Sequence, residues 1–257
     1  MQEGYYVIRT ITAGRVGEKV KFWVPGKKPP KNPKKLKQDA NKKTQNLHSA
    51  VRHLARILNA NYEGGDGVLA LTYDDPHLAE LICRTGADPS TDEGKLRLWK
   101  AVRHDAENFR RRMMRAVKDP EQLCKLVIIT SDMDGETKEP VRVHIHVVCP
   151  KSMIETVKQK WKAGKVRVRR MSREPDHIEL AKYLLDQVRY VEGQKKFVCT
   201  RNMILPEVKD RIAKSGQEPQ PPKGAVILER NTNQWIPGRP QYLRYVLPAK
   251  DPGRRNE

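Results

Sequence analysis

The stretch Val141-Arg-Val-His-Ile-His-Val-Val-Cys149 predicts a β-strand that carries two histidines. β-Branched residues favour strands, and alternate side chains of a strand leave the same face. His144 and His146 therefore point the same way. Two neutral imidazoles side by side can begin a divalent metal site, which then needs an acidic or amide third ligand. The competing interpretation is a strand with two polar residues on its solvated face.

The charge balance of the chain indicates a polyanionic partner. Its 257 residues include 51 Lys and Arg against 31 Asp and Glu, a net charge of +20. Such an excess without a membrane signature favours nucleic acid as the partner. We expect no membrane span and no signal peptide, and hence a cytoplasmic protein. The four scattered cysteines form no Cys-x-x-Cys pair, which argues against a zinc ribbon or a redox motif.

Residues 1–62 are predicted to form an N-terminal part with a β-hairpin, a basic arm and an amphipathic helix. The hairpin covers 5–24, and the helical period runs from Gln45 to Asn61. Between them, proline and lysine alternate around Lys34 and Lys35. This part holds 14 Lys and Arg against 3 acids. The arm is therefore either a solubilising linker or a non-specific phosphate-binding segment.

Residues 63–205 alternate between strand and helix periods and are predicted to form the central domain. An apolar strand at 68–73 ends in Asp74-Asp75-Pro76, polar groups at the end of a buried strand. A polar connection separates the histidine strand from the strand before it, so the two should form a hairpin. The predicted elements are strands at 68–73, 123–130, 141–149 and 166–171 and helices at 92–118, 153–161 and from 174–178 onward.

The last of these helices carries two tyrosines. Its apolar stripe includes Ala181, Leu184 and Leu185, and on a wheel of 3.6 residues per turn Tyr183 and Tyr190 fall together on the other side. We expect them to share one helix face, two turns apart. They could also be two ordinary amphipathic tyrosines. Residues 206–257 are rich in proline without a strong period, and we expect an irregular C-terminal segment.

The order of elements is a split βαβ plan of the α+β class, with an antiparallel sheet flanked by helices. Within it, Leu69-Ala-Leu-Thr-Tyr-Asp-Asp75, His144-Ile-His146 and Ala181-Lys-Tyr-Leu-Leu185 follow one another. In these motifs the chain resembles the HUH endonucleases, and more closely the rolling-circle replication initiators of bacterial phages and mobile elements. Lys195–Met203 resembles the strand that often follows the tyrosine helix. The resemblance covers residues 67–205, about half of the chain.

The resemblance implies a metal-assisted tyrosine nucleophile. Mg²⁺ or Mn²⁺ would be held by His144, His146 and an acid, for which Asp132 is favoured over Asp134 and then Asp74. The nucleophile would be Tyr183, with Tyr190 as a possible second one. Family members often carry a lysine three or four residues after the tyrosine, where this chain has Asp186 and Gln187. Lys182 or Arg189 could replace it, and Thr72, Tyr73 and Asp74 would form the first motif.

The expected substrate is single-stranded or origin DNA. Between Lys158 and Arg173 there are eight basic residues and no acid, a second basic surface. Because the chain has no recognisable phosphate-binding loop, a host helicase would act with it, and a host polymerase would extend the free 3′-OH. The residues expected to contact DNA are Lys34, Lys35, Arg110, Arg111, Lys165, Arg167, Arg169 and Arg170.

Three other functions compete with replication initiation. A relaxase or transposase of the same superfamily would share the chemistry and differ in its DNA sites or strand-transfer product. A non-catalytic DNA-binding protein would keep the basic surface and cleave nothing. A two-histidine phosphoesterase acting on RNA would show two separate His-x-Thr or His-x-Ser pairs, which this chain lacks.

Overall fold

A computed structural model describes residues 4–26, 44–117, 124–191, 193–231 and 240–249. The chain is of the α+β class, with two antiparallel sheets. It divides into two compact units, one from residues 1–48 and 205–257 and the other from residues 49–204. The strands are β1 (Gly4–Ala13), β2 (Val16–Pro25), β3 (Gly67–Thr72), β4 (Val127–Met133), β5 (Pro140–Cys149), β6 (Val166–Arg170), β7 (Val198–Cys199), β8 (Glu207–Ala213), β9 (Val226–Asn231) and β10 (Gln241–Val246), and the helices are α1 (Thr44–Asn61), α2 (Asp75–Thr85), α3 (Asp92–Ala116), α4 (Ile154–Lys160) and α5 (Ile178–Asp186).

The first unit joins the two ends of the chain in one sheet. Its strand order is β8-β1-β2-β10-β9, and every neighbouring pair is antiparallel. The predicted N-terminal hairpin is confirmed as β1 and β2. The irregular C-terminal segment is not, because three strands lie between residues 206 and 257. β8 pairs with β1 and β10 pairs with β2, so these partners lie far away in sequence and local periodicity does not reveal them, whereas β9 pairs with the neighbouring β10.

The second unit contains the histidine strand at the centre of its sheet. The strand order is β6-β3-β5-β4-β7, so β5 pairs with β3 on one side and β4 on the other. On one face, alternate side chains of β5 join a core built with α2, α3 and α4. The buried members of β5 in that core are Val143, Ile145, Val147 and Cys149. The helix predicted at 92–118 is confirmed as α3, whose buried residues include Trp99, Val102, Ala106, Phe109 and Met113.

Three local expectations differ from the structure. Helix α2 was not predicted, although Asp74 caps it by accepting a hydrogen bond from the His77 backbone and Pro76 stands in its first turn. The strand expected at 195–203 is only the two residues of β7. The domain boundary expected after residue 62 falls after residue 48, so most of α1 belongs to the second unit.

Helix α5 is shorter than its sequence period suggests. Its apolar residues Ala181, Leu184 and Leu185 are buried as predicted. The helix nevertheless ends at Asp186, and Tyr190 lies beyond it. Tyr183 and Tyr190 therefore do not share a helix face. Among the described residues, no helix is both long and apolar enough to cross a membrane.

Candidate functional site

The two histidines of β5 meet on the face opposite the α3 core. His144 Nε2 lies 3.0 Å from His146 Nε2, and the ring centroids are 4.7 Å apart. His146 is 5% exposed. The strand alternation that buries Ile145 on the other face aims both imidazoles at one point, as the sequence predicted.

Hydrogen bonding and burial orient both rings toward this point. His144 Nδ1 lies 3.0 Å from the Arg142 carbonyl oxygen, an acceptor, so Nδ1 donates to it and Nε2 is the nitrogen that faces His146. Burial, together with the charge of His144, lowers the pKa of His146 to about 4. At neutral pH His146 is therefore uncharged and free to act as a ligand.

Gln187 supplies a third acceptor. Its side-chain Oε1 lies 3.3 Å from His146 Nε2. Its Nε2 donates to the Tyr183 carbonyl oxygen at 3.0 Å, which fixes the amide with the oxygen toward the histidines. The sequence interpretation treated position 187 only as a place where a lysine was missing. A spacing of four from Tyr183 could have indicated it, since residues i and i+4 of a helix share a face.

A bulge in β4 holds Gln187 against the sheet. The β4–β5 register shifts between Ser131 and Met133. The backbone N–H groups of Asp132 and Met133 both turn to the Gln187 carbonyl oxygen, at 3.3 and 3.2 Å. Bulges re-aim groups beside active sites, and this one stops α5 and positions the Gln187 side chain.

Tyr183 stands beside the histidine pair and is open to solvent. Its ring centroid is 6.2 Å from that of His146, and the residue is 48% exposed. Lys182 is also exposed and lies in the same helix, α5. Tyr190 is 53% exposed, and no contact joins it to the histidines among the described residues. Tyr183 is the phenol that the structure brings to the pair.

The predicted acidic ligands make other hydrogen bonds, although Asp132 Oδ1 is buried and has no hydrogen-bond partner among the described residues. Asp132 Oδ2 accepts from Arg189 Nε at 2.7 Å in a buried ion pair, which also removes Arg189 as a substitute for the family's lysine. Burial raises the pKa of Asp132, and Arg189 opposes that rise. Asp134 accepts from the Glu136 and Thr137 backbones in the β4–β5 turn. Asp74 caps α2.

The donor set His144, His146 and Gln187 fits a divalent cation. Within the described residues there is no cluster of three His, Cys, Asp or Glu side chains. The two imidazole nitrogens and the amide oxygen are however ligands that such ions accept. Bonds of about 2.1 Å place neighbouring ligand atoms about 3 Å apart, as the two imidazole nitrogens are. Either a proton on His146 Nε2 or a cation can satisfy these electron pairs.

Comparisons with family models, curated proteins and solved structures find no match.

Edge strand β6 carries basic side chains on the same face of the sheet as the histidines. Arg167 pairs with Ala70 of β3, and Ala70 pairs with His146, so the three residues form one row across the sheet. In the next row, Lys165 is joined to Thr72 by a backbone hydrogen bond, and Thr72 pairs with His144. Ala70 and Thr72 of β3 thus lie between the histidines of β5 and the basic residues at the β6 edge.

Arg169 extends this edge, and Arg170 does not. Arg169 pairs with Val68 on the histidine face, and its charge contributes to lowering the pKa of His146. Arg170 lies on the opposite face of the sheet by strand alternation, and its side chain donates to the Gly65 carbonyl oxygen. We define the basic edge as Lys165, Arg167 and Arg169.

Other predicted site residues lie away from the histidines. Arg110 and Arg111 belong to α3, which packs on the opposite face of the sheet, and both contact Glu107. Tyr73 is buried in that opposite core and donates to Asp105, so its role is packing. Lys34 and Lys35 lie outside the described residues.

Proposed function

We propose that this protein is a replication initiator that nicks single-stranded origin DNA with Tyr183 in a metal-assisted reaction. The observation that carries the proposal is the convergence of His144 Nε2, His146 Nε2 and Gln187 Oε1 beside an exposed tyrosine. An imidazole pair used only for structure would be expected to bond to donors. Here two imidazole nitrogens and an amide oxygen, all able to accept, converge on one point, where a cation could bind all three at once.

The basic edge supports DNA as the substrate. Phosphate contacts from Arg and Lys position a strand without reading its sequence. A strand that lies over Ala70 and Thr72 would set one phosphate at the histidines and its neighbours at Arg167 and Lys165. The net charge of +20 agrees with a polyanionic ligand.

In the proposed reaction, the Tyr183 hydroxyl loses its proton and its oxygen attacks the phosphorus of that phosphate. The new bond joins tyrosine oxygen to phosphorus, and the bond from phosphorus to the 3′ oxygen breaks. The 3′ oxygen takes a proton and leaves as a free 3′-OH that can prime synthesis. A bound Mg²⁺ or Mn²⁺ would supply Lewis-acid polarisation of the phosphate.

Several residues prepare this step. Burial keeps His146 neutral, and the hydrogen bond to the Arg142 carbonyl oxygen orients His144. Gln187 links the tyrosine helix to the histidines, because its amide bonds the Tyr183 backbone on one side and approaches His146 on the other. Lys182 precedes Tyr183 in α5 and is exposed, so it adds positive charge to this surface.

Metal-dependent cleavage tests the proposal. We expect the protein to cleave single-stranded oligonucleotides or supercoiled origin DNA with Mg²⁺ or Mn²⁺, and excess chelator to abolish cleavage. Gln187→Glu, which keeps an oxygen ligand, should retain metal binding. Gln187→Leu should weaken Mn²⁺ binding by about 10- to 100-fold.

Cleavage that continues undiminished in chelator would contradict the metal assignment. Binding of DNA without any cleavage would instead favour the non-catalytic alternative. A product in which the free 3′-OH is joined to a second site would favour a relaxase or transposase with the same chemistry.

A further inference from the structure

A cavity of about 260 Å³ lies at the end of the second unit's sheet, next to the proposed centre. One wall is apolar and includes Leu78 and Ile82 of α2, Leu98 of α3 and Val143 of β5. The remaining wall carries Asp132, Arg142 and Arg189. A site of this size that combines an apolar wall with a few polar groups suits a small flat ligand.

The cations around this cavity are neutralised in pairs. Arg189 Nε is 2.7 Å from Asp132, Arg142 is 2.8 Å from Asp75, and Lys95 is 3.9 Å from Asp92. A phosphate would add a negative charge beside these carboxylates and against an apolar wall, which is costly. A neutral ligand with a polar edge avoids that cost.

Arg189 offers donors of fixed geometry to such an edge. Its Nε is bonded to Asp132, and the pair is buried, with side-chain exposures of 18% and 6%. Its two Nη groups make no hydrogen bond with another described residue. A guanidinium held at Nε presents these donors as a rigid fork. Two adjacent acceptors on one edge, O6 and N7, are the mark of guanine among the bases.

Hydrogen bonds join wall residues of the cavity to the proposed catalytic residues. The backbone carbonyl of Arg142, a wall residue, accepts from His144 Nδ1. Arg189 follows Gln187 by two residues, and Asp132 donates its backbone N–H to the Gln187 carbonyl oxygen. A base held here therefore belongs to a nucleotide close to the phosphate that Tyr183 would attack.

We propose that this cavity binds a guanine of the single-stranded DNA beside the cleaved phosphate, with the base against Leu78 and Ile82 and its O6 and N7 on Arg189. The inference rests on the proposed nicking function. In this proposal Asp132, which the sequence predicted as a metal ligand, orients Arg189, and Arg189 binds the base.

Selection of covalent products from a randomised pool of single-stranded oligonucleotides tests this assignment. Both product fragments are sequenced. For the wild type we expect guanine to be enriched at one position beside the cleaved bond, by about 5- to 100-fold, the discrimination of a bidentate arginine contact. Replacing that guanine with 7-deazaguanine removes N7 and should slow cleavage by the wild type.

Two variants separate the base contact from general damage. Arg189→Lys keeps the charge and loses the fork, so guanine enrichment and the 7-deazaguanine effect should both disappear. Ile82→Trp fills the cavity from α2, leaves the residues of the Asp132–Arg189 pair unchanged, and should abolish the same enrichment. Arg97→Lys, on an exposed arginine of α3 paired with Glu93, is the matched control and should keep it.

The outcomes distinguish the two proposals. If no covalent product forms with any pool, the nicking function fails, and this inference fails with it. If products form but show no guanine preference, or if the preference survives in Ile82→Trp, only the base-binding cavity is overturned.

Discussion

The two five-stranded antiparallel sheets of this protein differ in how one cluster of polar side chains is arranged. In the first unit, polar groups pair with each other: Arg9 makes two hydrogen bonds of 2.8 Å to Asp210, and buried Tyr242 donates to Glu18. In the second unit, the acceptors of His144, His146 and Gln187 face one another.

This difference indicates where the function lies. Paired polar groups contribute to the stability of a sheet, whereas converging acceptors in a buried place are costly unless a cation or a proton satisfies them. The second sheet can hold such a site because α2, α3 and α4 cover one of its faces and α5 lies on the other. We therefore expect changes in the second sheet to affect chemistry and changes in the first to affect stability.

The largest expected effect is on cleavage. His144→Ala and His146→Ala should each lower the single-turnover rate at least ~1,000-fold, because metal assistance contributes several kcal/mol. The matched change in the first sheet is Tyr242→Phe, which loses one hydrogen bond to Glu18. It should leave the rate unchanged and lower the free energy of unfolding by about 1 kcal/mol. Near-normal cleavage by either histidine variant would remove the distinction between the sheets.

Removal of a core side chain from the first sheet should have the reverse profile. Ile8 of β1 is fully buried. Ile8→Ala should lower the free energy of unfolding of its unit by about 2–4 kcal/mol, measured by urea titration. At temperatures well below the melting point, nicking should remain. A loss of nicking by folded Ile8→Ala protein would show that the first sheet takes part in the chemistry.

Acid should selectively destabilise the second unit. The folded-state pKa of His146, about 4, lies below its ordinary value of 6.5, so between these values the unfolded chain binds more protons. Stability from this group is present above pH 6.5 and is lost as the pH falls toward 4, by up to roughly 3 kcal/mol. Urea titrations at several pH values, in chelator, should show a weaker pH dependence for His146→Gln than for the wild type. Equal pH dependence would contradict the buried neutral imidazole.

The smallest expected effect concerns DNA binding at the basic edge. Arg167→Gln combined with Arg169→Gln should weaken binding of single-stranded DNA and reduce its salt slope by about 1.4, since each of the two lost phosphate contacts accounts for about 0.7. The matched pair in the first sheet is Lys209→Gln with Arg211→Gln, two exposed residues of β8. If that pair reduces the slope equally, the DNA path is not specific to the histidine face.

Sequence periodicity predicted the second sheet well and the first sheet poorly. β3, β4 and β5 are continuous apolar or alternating runs, so their type and the shared face of His144 and His146 follow from local residues. β8 and β9 are edge strands with mostly exposed side chains. Neither strand has a buried face that an apolar pattern could reveal. β8 pairs with β1 at the other end of the chain, and β9 pairs with the neighbouring β10.

Within the candidate site, the sequence predicted the histidines and Tyr183 but not the third acceptor. The end of α5 depends on the β4 bulge, where the backbone N–H groups of Asp132 and Met133 donate to the Gln187 carbonyl oxygen. That contact joins residues far apart in sequence. The choice between Asp132 and Gln187 similarly depends on where Arg189 lies. A carboxylate stands out in a sequence as a metal ligand, whereas an amide does not.

The most direct test of the account is to identify the residue that carries DNA after cleavage. Protein incubated with single-stranded oligonucleotide and Mn²⁺ is digested, and the covalent peptide–nucleotide adduct is located by mass spectrometry. We predict a 5′-phosphate linked to Tyr183, an adduct absent in Tyr183→Phe and retained in Tyr190→Phe. An adduct on Tyr190 that survives in Tyr183→Phe would contradict the account.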